Sequence, residues 1–465
     1  MKLYNTATRE LEEFVPQNPK EVKIYTCGPT VYSFAHIGNF ASYVYWDLLI
    51  RTLQLNGWEV KRILNLTDVG HLVSDADDGE DKMEKGARRE GVTVWDIAQK
   101  YIDAYLADFR SLGLIEPARI CRATDYIEQD TKLVDALDQA GYLYDTTDGL
   151  YFDTSKFPKY AEFAKLDLEN LKAGARVEFS DEKRNPSDFA VWKWVRAGEN
   201  HAMKWEYRGR MGYPGWHLEC STIIHEELGE PIDIHTGGID HIPIHHTNEI
   251  AQTEAGYGKQ LAKVWMHCNF ITCEGQKISK SLGNCYYLSD LVERGYSPVD
   301  FRAWLYQGHY QAERDFTFDQ LAAAHARLMN YRNFAALRWQ GVEQSDFEEE
   351  QKQILEFLNT NLNSAGAFAV IDGVVKSGRA PSEKFLKFID EAFGFDILDS
   401  TPDISDDLKT AVAARVEAKQ QKDYSRADEL RDEILAQGIE LLDGADKVIW
   451  KYKASLARSR LWRLG

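Results

Sequence analysis

Residues 26–39 read Thr26-Cys27-Gly28-Pro29-Thr30-Val31-Tyr32-Ser33-Phe34-Ala35-His36-Ile37-Gly38-Asn39 and decide the fold prediction. Apolar and polar residues alternate over residues 22–26, which predicts a β-strand. Apolar residues then recur at four-residue spacing over residues 40–48, which predicts a helix. A strand, a glycine-bearing turn and a helix start can together bind phosphate, because backbone N–H groups and the helix dipole point to that place.

Three residues of this stretch suit a ligand site. His36 adds a hydrogen-bond donor, and Gly38 lets a ligand approach the backbone closely. Cys27 stands at the carboxyl end of the predicted strand, where open α/β sheets bind ligands. The alternative is a cysteine that only packs and a histidine that only caps the helix, and the short His-Ile-Gly-Asn motif does not decide between them.

Composition sets the class of protein. A chain of 465 residues predicts about three domains, and 44% hydrophobic residues suffice for substantial cores. No charge-flanked apolar segment opens the chain, and no apolar run reaches the roughly 18 residues of a membrane helix. Six cysteines in a chain of this length do not suggest a disulfide framework. We therefore expect a cytoplasmic protein with reduced thiols and no membrane partner.

The net charge of −19 argues against nucleic-acid binding driven by overall charge. Local basic patches can still bind RNA. One such patch is the end of the chain, residues 451–465, which carries five basic residues and no acidic one. A solvated tail is an equally good interpretation of this segment.

The order of strand and helix patterns predicts an α/β fold with a split, Rossmann-like parallel sheet. Strand patterns over residues 58–67 and around Ile232 and Ile234 belong to its two halves. Between the halves the chain becomes rich in aromatic residues and in Pro and Gly, which indicates an insertion. We predict a split catalytic domain over 1–120 and 206–265, an insertion subdomain over 121–205, a lysine-loop region over 266–325, a helical bundle over 326–400 and a small C-terminal domain over 401–465.

One candidate site is a metal centre formed by Cys27, Cys220, His245 and Glu249, since thiolate, imidazole and carboxylate are all zinc ligands. Cys27 and Cys220 are 193 residues apart, so no local zinc-binding spacing supports the set. His245 and Glu249 lie four residues apart, which also suits an ordinary pair on a helix surface. The remaining candidates lack a Cys-x-x-Cys spacing and are expected to pack; they are Cys268, Cys273 and Cys285.

The other candidate site pairs residues 36–39 with the motif Lys277-Ile278-Ser279-Lys280-Ser281. The first is a phosphate-binding helix start, and the second is a basic loop that could close over a triphosphate. Transfer of a phosphoryl or nucleotidyl group needs positive charge where the leaving group gains negative charge. A lysine-rich loop alone is usually solvated, but the two motifs together are more specific.

With these motifs the chain resembles the class I aminoacyl-tRNA synthetases, and within them most closely the cysteinyl-tRNA synthetase family. The resemblance covers nearly the whole chain. The matching stretches are Thr26 to Tyr32, Tyr151-Phe152-Asp153, Pro214-Gly215-Trp216-His217-Leu218-Glu219-Cys220-Ser221, His245-His246 with Asn248-Glu249, Lys277 to Asn284, His309-Tyr310, and Lys422-Asp423 with Ala427-Asp428.

The resemblance implies two chemical steps. Cysteine attacks the α-phosphorus of ATP through its carboxylate and forms cysteinyl-adenylate and pyrophosphate, with magnesium accompanying ATP. The cysteinyl group then passes to the terminal adenosine of cysteine tRNA. The section 401–465 would bind the anticodon, residues 266–325 would contact the tRNA stem, and we expect a monomer.

The resemblance also implies site roles. One zinc ion per chain, held by the four candidate ligands, would bind the substrate thiolate. The cysteine pocket would contain Gly28, Thr67 and Trp216. ATP would be bound by Gly28, His36, Gly38, Asn39, Gly237, Asp240 and Lys280, with catalytic roles for His36, Asn39, Lys277 and Lys280.

Three departures from the family pattern stand out. Thr247 lies where the family often carries Glu, which should alter only what surrounds the metal ligands. Residues 69–72 read Val-Gly-His-Leu where many members carry charged residues, so roles for residues 69–85 are not carried over. Ile278 replaces Met, a mild change at an apolar position.

Three other functions fit parts of the sequence. A cysteine ligase with a small amine acceptor would share the catalytic half, but section 401–465 argues against it. A catalytically silent paralogue that binds RNA or a partner is disfavoured by the intact His36, Lys280 and metal-ligand set. A general nucleotidyltransferase would leave the lysine loop unexplained.

Overall fold

The computed structural model describes residues 1–69, 82–167, 182–196, 201–279, 282–444 and 448–453. The chain divides into two compact units. The first comprises Met1–Trp46, Asn56–Arg110 and Ile115–Phe270, and the second comprises Asp47–Leu55, Ser111–Leu114 and Ile271–Gly465. Among the described residues, no helix has both the length and the apolar character needed to cross a membrane.

A parallel sheet of five strands organises the first unit. All neighbouring strands in it run parallel. In spatial order the strands are Ala262–Cys268, Ile232–Gly238, Glu21–Thr26, Glu59–Leu66 and Arg119–Arg122. Two strands from the end of the first unit thus lie beside three from its beginning, which confirms the split parallel sheet.

The strands are buried because helices cover the sheet, and their sequences are accordingly rich in apolar residues. Val22, Ile24 and Ile234 are completely buried. The pairing of Thr26 with both Thr236 and Leu64 brings the carboxyl ends of three strands to one edge. In open α/β sheets this edge is where ligands bind.

Helices and a small hairpin complete this part of the chain. The helix Leu218–Glu227 contributes Ile223 and Ile224 to an apolar cluster that also contains Cys27 and Cys220. The helices that begin in the first unit are Ile37–Leu55, Lys82–Glu90, Val94–Ser111, Ile127–Gln139, Leu218–Glu227 and Thr247–Tyr257. The hairpin pairs Lys2–Asn5 with Glu10–Glu13.

The insertion forms an antiparallel sheet of its own. Its strands, in spatial order, are Leu143–Asp145, Gly149–Phe152, Phe189–Trp194, Arg210–Pro214 and Trp205–Tyr207. This sheet continues past residue 205, where we expected the insertion to end, because Arg210–Pro214 pairs with Phe189–Trp194. The strand Arg119–Arg122 extends across the other expected boundary and pairs within the parallel sheet.

The second unit begins with a small sheet. Its strands, in spatial order, are Gln276–Lys277, Ile271–Cys273 and Arg314–Phe316. The first two form a hairpin, which turns at Glu274 and Gly275, both with positive φ. Two short strands, Gln344–Ser345 and Ala380–Pro381, pair further along the chain.

Helices build most of the second unit. They are Leu288–Glu293, Pro298–Tyr306, Phe318–Ala336, Glu348–Leu358, Ser364–Val375, Glu383–Phe393, Asp406–Gln420 and Tyr424–Ala436. A hairpin follows these helices, with Ile439–Asp443 paired to Val448–Tyr452. The last section packs on the bundle: Arg338 donates to the hydroxyl and carbonyl oxygens of buried Thr401.

Candidate active site and metal centre

The four predicted metal ligands converge. One donor atom from each of Cys27, Cys220, His245 and Glu249 lies within 4.8 Å of the others, and all four residues are buried. Nε2 of His245 is 2.7 Å from Oε1 of Glu249. Residues 193 positions apart in the sequence are therefore brought to a single point at the carboxyl edge of the parallel sheet.

Three elements position these ligands. Cys27 directly follows the strand Glu21–Thr26, and Cys220 lies in the first turn of the helix Leu218–Glu227. His245 lies in a π-helical turn, Ile242–His246, that leads into the helix carrying Glu249. The four-residue spacing places His245 and Glu249 on one face, and π-helical turns frequently occur at functional sites.

The electrostatics of the cluster favour a bound cation. Burial raises the pKa of the Cys27 thiol to about 12 and holds the pKa of Cys220 well above its usual value. Burial alone would also raise the pKa of Glu249, but His235 and His245 hold it well below its usual range. Buried thiols and imidazoles around an ionised carboxylate suit a metal ion, because a cation stabilises the thiolate forms.

A second potential ligand set overlaps the first. His235 and His246, together with Cys27 and Glu249, also present donor atoms within 4.8 Å of one another. Nε2 of His235 lies 2.7 Å from Oε2 of Glu249, so the two oxygens of Glu249 face two different histidines. His235 lies outside the predicted ligand set, because the strand pattern around Ile232 and Ile234 does not show which residues the side chain of His235 faces.

The next layer fixes the orientation of these histidines. Nδ1 of His246 lies 2.7 Å from Nε2 of His267, and Nδ1 of His267 lies 2.8 Å from the Thr6 hydroxyl. Nδ1 of His217 lies 2.9 Å from Nδ1 of His245. Hydrogen bonds of this kind orient metal-binding imidazoles and set their tautomers.

The predicted cysteine-pocket residues lie next to this cluster. The indole of Trp216 is half-buried, with its centroid 4.9 Å from the ring of His245. Gly28 cannot carry a side chain, since a Cβ atom there would be 1.5 Å from the carbonyl oxygen of Asn65. Thr67 is buried, and its hydroxyl donates to Oε1 of Glu219 at 2.7 Å. Burial raises the pKa of Glu219 to about 8 although this hydrogen bond lowers it.

The predicted phosphate-binding residues form the start of the helix Ile37–Leu55. The backbone N–H of His36 donates to Oδ1 of Asn39, and the N–H of Asn39 donates to Nδ1 of His36. Because a backbone N–H can only donate, Nδ1 carries no proton in neutral His36, and Nε2 carries it. His36 therefore carries an N–H donor at Nε2 and directly precedes the helix Ile37–Leu55.

Two further residues predicted to bind ATP lie where the strand Ile232–Gly238 ends. Gly237 leaves space that a side chain would take, because a Cβ atom there would lie 2.7 Å from atoms of His241 and His246. Asp240 follows in a short helical turn and is exposed. These two residues share the strand edge that carries the metal ligands.

The lysine loop belongs to the second unit. Lys277 is exposed in the strand Gln276–Lys277, and Lys280 lies outside the described residues. Asn284 holds the two ends of the loop together. It accepts from the backbone N–H of Ser279 and donates to the carbonyl oxygen of Lys277.

Comparisons with known proteins agree with this geometry. The family model described as the class I (C) tRNA synthetase catalytic domain matches residues 13–326. Cysteine–tRNA ligase 1 of Burkholderia lata is 41% identical over 444 residues, which cover 94% of each chain. Cysteine–tRNA ligase of Treponema denticola is 37% identical over 490 residues, which cover 97% of this chain and 99% of the relative.

A solved structure shares the fold. Methionyl-tRNA synthetase of Mycobacterium tuberculosis, bound by methionyl-adenylate, aligns with a TM-score of 0.57 over 83% of this chain and 86% of the other. The sequence identity is 14%, so this likeness concerns the fold alone. From the family model, the full-length relatives and the split sheet together, the chain belongs to the class I aminoacyl-tRNA synthetases, in the family of the cysteine–tRNA ligases.

Proposed function

We propose that the protein charges cysteine tRNA in the cytoplasm: it activates L-cysteine with ATP to cysteinyl-adenylate and transfers the cysteinyl group to the terminal adenosine of the tRNA. The observation that carries this proposal is the convergence of Cys27, Cys220, His245 and Glu249 at the carboxyl edge of the sheet. Two thiols, an imidazole and a carboxylate fit one zinc ion.

Zinc in this position would supply selectivity, because it prefers a soft thiolate to a hydroxyl. Cysteine and serine differ by one atom, and shape alone separates such substrates poorly. A methylene-sized difference discriminates by roughly 10- to 200-fold, whereas a site matched to one polar group reaches about 10⁴. With selection at this level, the enzyme needs no separate editing step.

The chain's own residues would perform the adenylation by positioning and charge. The Nε2–H group of His36 and the backbone N–H groups at the start of the helix at Gly38 would donate to phosphate oxygens of the magnesium-bound ATP. Asn39 orients His36 through the hydrogen bond to Nδ1. Gly237 and Asp240 would bind the nucleoside. Lys277 and Lys280 would neutralise the charge that grows on the leaving pyrophosphate.

A cysteine ligase with a small amine acceptor is the second candidate. It would need the same adenylation site but no RNA-binding section. The section after residue 400 favours the tRNA acceptor. It contains two helices and a hairpin packed on the helix Phe318–Ala336 through a cluster that includes Ala336, Leu408 and Ile434.

The experiment that tests the proposal is cysteine-dependent exchange of pyrophosphate into ATP, followed by charging of total tRNA with cysteine. We expect exchange with cysteine, loss of exchange after prolonged zinc chelation, and restoration by added zinc. Serine should support exchange less well by a factor of about 10⁴. Exchange without tRNA charging would favour the small-amine ligase, and the absence of cysteine-dependent exchange would overturn the proposal.

A further inference from the structure

A chain of hydrogen bonds joins the two halves of the catalytic site. The backbone N–H of Gly28 donates to Oδ1 of Asn65 at 2.7 Å, and Nδ2 of Asn65 lies 3.2 Å from the Thr67 hydroxyl. That hydroxyl lies 2.7 Å from Oε1 of Glu219. The chain therefore begins beside Cys27 and ends beside Cys220, which are two of the proposed metal ligands.

The direction of every bond in this chain follows from its first member. A backbone N–H can only donate, so the oxygen of the Asn65 amide faces Gly28 and its NH₂ group faces Thr67. Because the NH₂ group can only donate, the Thr67 oxygen accepts from it. The single hydroxyl proton of Thr67 is then free for Glu219, whose Oε1 can accept it whether the carboxyl group is charged or neutral.

Two acceptors remain unused at this place. A hydroxyl oxygen can accept two hydrogen bonds, and Asn65 takes one of them, so Thr67 keeps one lone pair. Oε2 of Glu219 has no hydrogen-bond partner within the described parts of the chain, although the residue is only 2% exposed. Buried polar atoms are normally paired, so an unpaired one indicates a missing partner such as a ligand.

Thr67 itself is held rigidly. Its backbone N–H donates to the carbonyl oxygen of Pro29, and its carbonyl oxygen accepts from the N–H of Val31. It directly follows the strand Glu59–Leu66, at the edge of the sheet where the metal ligands converge. A ligand whose sulfur bound a metal held by Cys27 and Cys220 would therefore lie at the same edge of the sheet as Thr67.

We propose that Glu219 is a positioning residue for amino-acid recognition: by taking the hydroxyl proton of Thr67, it makes Thr67 present an acceptor to the α-ammonium group of the substrate. The ammonium group is the only cation of cysteine and donates only, which is the chemistry that the remaining lone pair of the Thr67 hydroxyl requires. This inference rests on the proposed function, since it presumes that an amino acid occupies the site.

The test compares two ligands of the zinc-loaded protein, L-cysteine and 3-mercaptopropionate, which is cysteine without its amino group. Calorimetric titration measures the dissociation constant of each. In Glu219→Leu and Thr67→Val we expect the constant for L-cysteine to rise about 10- to 100-fold, as for loss of a hydrogen bond to a charged group. The constant for 3-mercaptopropionate should stay unchanged. Equal weakening of both ligands, or of neither, overturns the proposal.

Three further proteins sharpen the comparison. Glu219→Gln keeps an oxygen that can accept from Thr67 and should retain the preference for cysteine. The double variant Thr67→Val/Glu219→Leu should bind cysteine no more weakly than Thr67→Val, because Glu219 acts through Thr67. Glu226→Leu is the matched control, since Glu226 is exposed on the same helix, and it should match the unsubstituted protein.

Two measurements separate this inference from damage elsewhere and from the proposed function. Zinc content must equal that of the unsubstituted protein, which excludes an effect through Cys220. Cysteine-dependent pyrophosphate exchange by the unsubstituted protein tests the proposed function alone. If exchange occurs and Glu219→Leu and Thr67→Val keep the full preference for cysteine over 3-mercaptopropionate, only the role of Glu219 fails.

Discussion

Nε2 of His246 lies 3.4 Å from Sγ of Cys27, closer than Sγ of Cys27 lies to Oε1 of Glu249, at 3.9 Å. Cys27 therefore faces two groups of neighbours, one containing Cys220 and His245 and the other containing His235 and His246. Cys27 and Glu249 belong to both groups. The chemistry of the donors favours the group with Cys220 for the proposed zinc, because two thiolates bind zinc more strongly than one.

The first prediction concerns which group holds the metal. Cys220→Ser and His245→Asn should lose most of the zinc after dialysis against metal-free buffer, because each removes one of the four proposed ligands. His235→Asn should keep about one zinc per chain, since four ligands remain. Inductively coupled plasma mass spectrometry gives the metal content of each protein. The reverse order of losses would assign the zinc to His235 and His246.

The second prediction concerns the lysine loop. Lys280→Ala should lower the rate of cysteine-dependent pyrophosphate exchange about 10²- to 10³-fold, because one charge that stabilises the transition state is lost. Cysteine binding should change little. Lys387→Ala, at an exposed lysine of the same unit, is the control. Unchanged exchange in Lys280→Ala would remove that residue from the mechanism.

The third prediction concerns the C-terminal section. A chain that ends at Pro402 keeps Thr401, which holds the Arg338 guanidinium, but loses the last two helices and the hairpin. It should retain pyrophosphate exchange and lose most tRNA charging, because the proposed adenylation residues all precede residue 285. Circular dichroism must show a folded protein. Loss of exchange in that folded protein would contradict this division of labour.

The fourth prediction uses pH. Asp130, in the helix Ile127–Gln139, is completely buried, and burial raises its pKa to about 7. Between about pH 4 and pH 7, Asp130 therefore keeps its proton in the folded state. In the unfolded state, where its pKa is about 3.9, it has lost that proton. The stability that this proton confers is complete below about pH 4 and disappears as the pH rises through 7.

Asp130→Asn should therefore gain stability relative to the unsubstituted protein as the pH rises. Between pH 5 and pH 8 the difference in the free energy of unfolding should grow by about 3 kcal/mol, at about 1.4 kcal/mol per pKa unit. Urea denaturation at each pH measures it. Glu128→Gln, at an exposed residue of the same helix, should show no such trend, and a pH-independent difference for Asp130→Asn would refute the raised pKa.

Sequence patterns predicted the helices and strands better than they predicted which distant segments lie together. Alternation and helical spacing identified the strand at residues 21–26 and the helix that follows it, because local burial leaves a local period. No local pattern predicts that Cys27 and Cys220 lie close together. That prediction came from the resemblance to a family. The expected end of the insertion, residue 205, leaves out the hairpin of Trp205–Tyr207 and Arg210–Pro214. This hairpin joins the insertion because Arg210–Pro214 pairs with Phe189–Trp194, earlier in the chain, and no local pattern shows that pairing.

Sequence patterns also did not identify the residues that contact the predicted site residues. Glu219 lies in a motif that matched the family, but its proposed positioning role follows only from its 2.7 Å hydrogen bond to Thr67. His235 and Asn65 occupy buried strand positions, where an apolar residue is the usual expectation. A buried polar residue in a predicted strand is the signal that could have identified both.

The insertion between Cys27 and Cys220 also has an evolutionary consequence. It folds on an antiparallel sheet of its own, so its length is not constrained by the parallel sheet. The entropy cost of closing a loop grows only with the logarithm of its length, and doubling the loop costs about 0.6 kcal/mol. Lineages could thus lengthen or shorten this segment at little cost, while Cys27 and Cys220, which lie outside it, stay together.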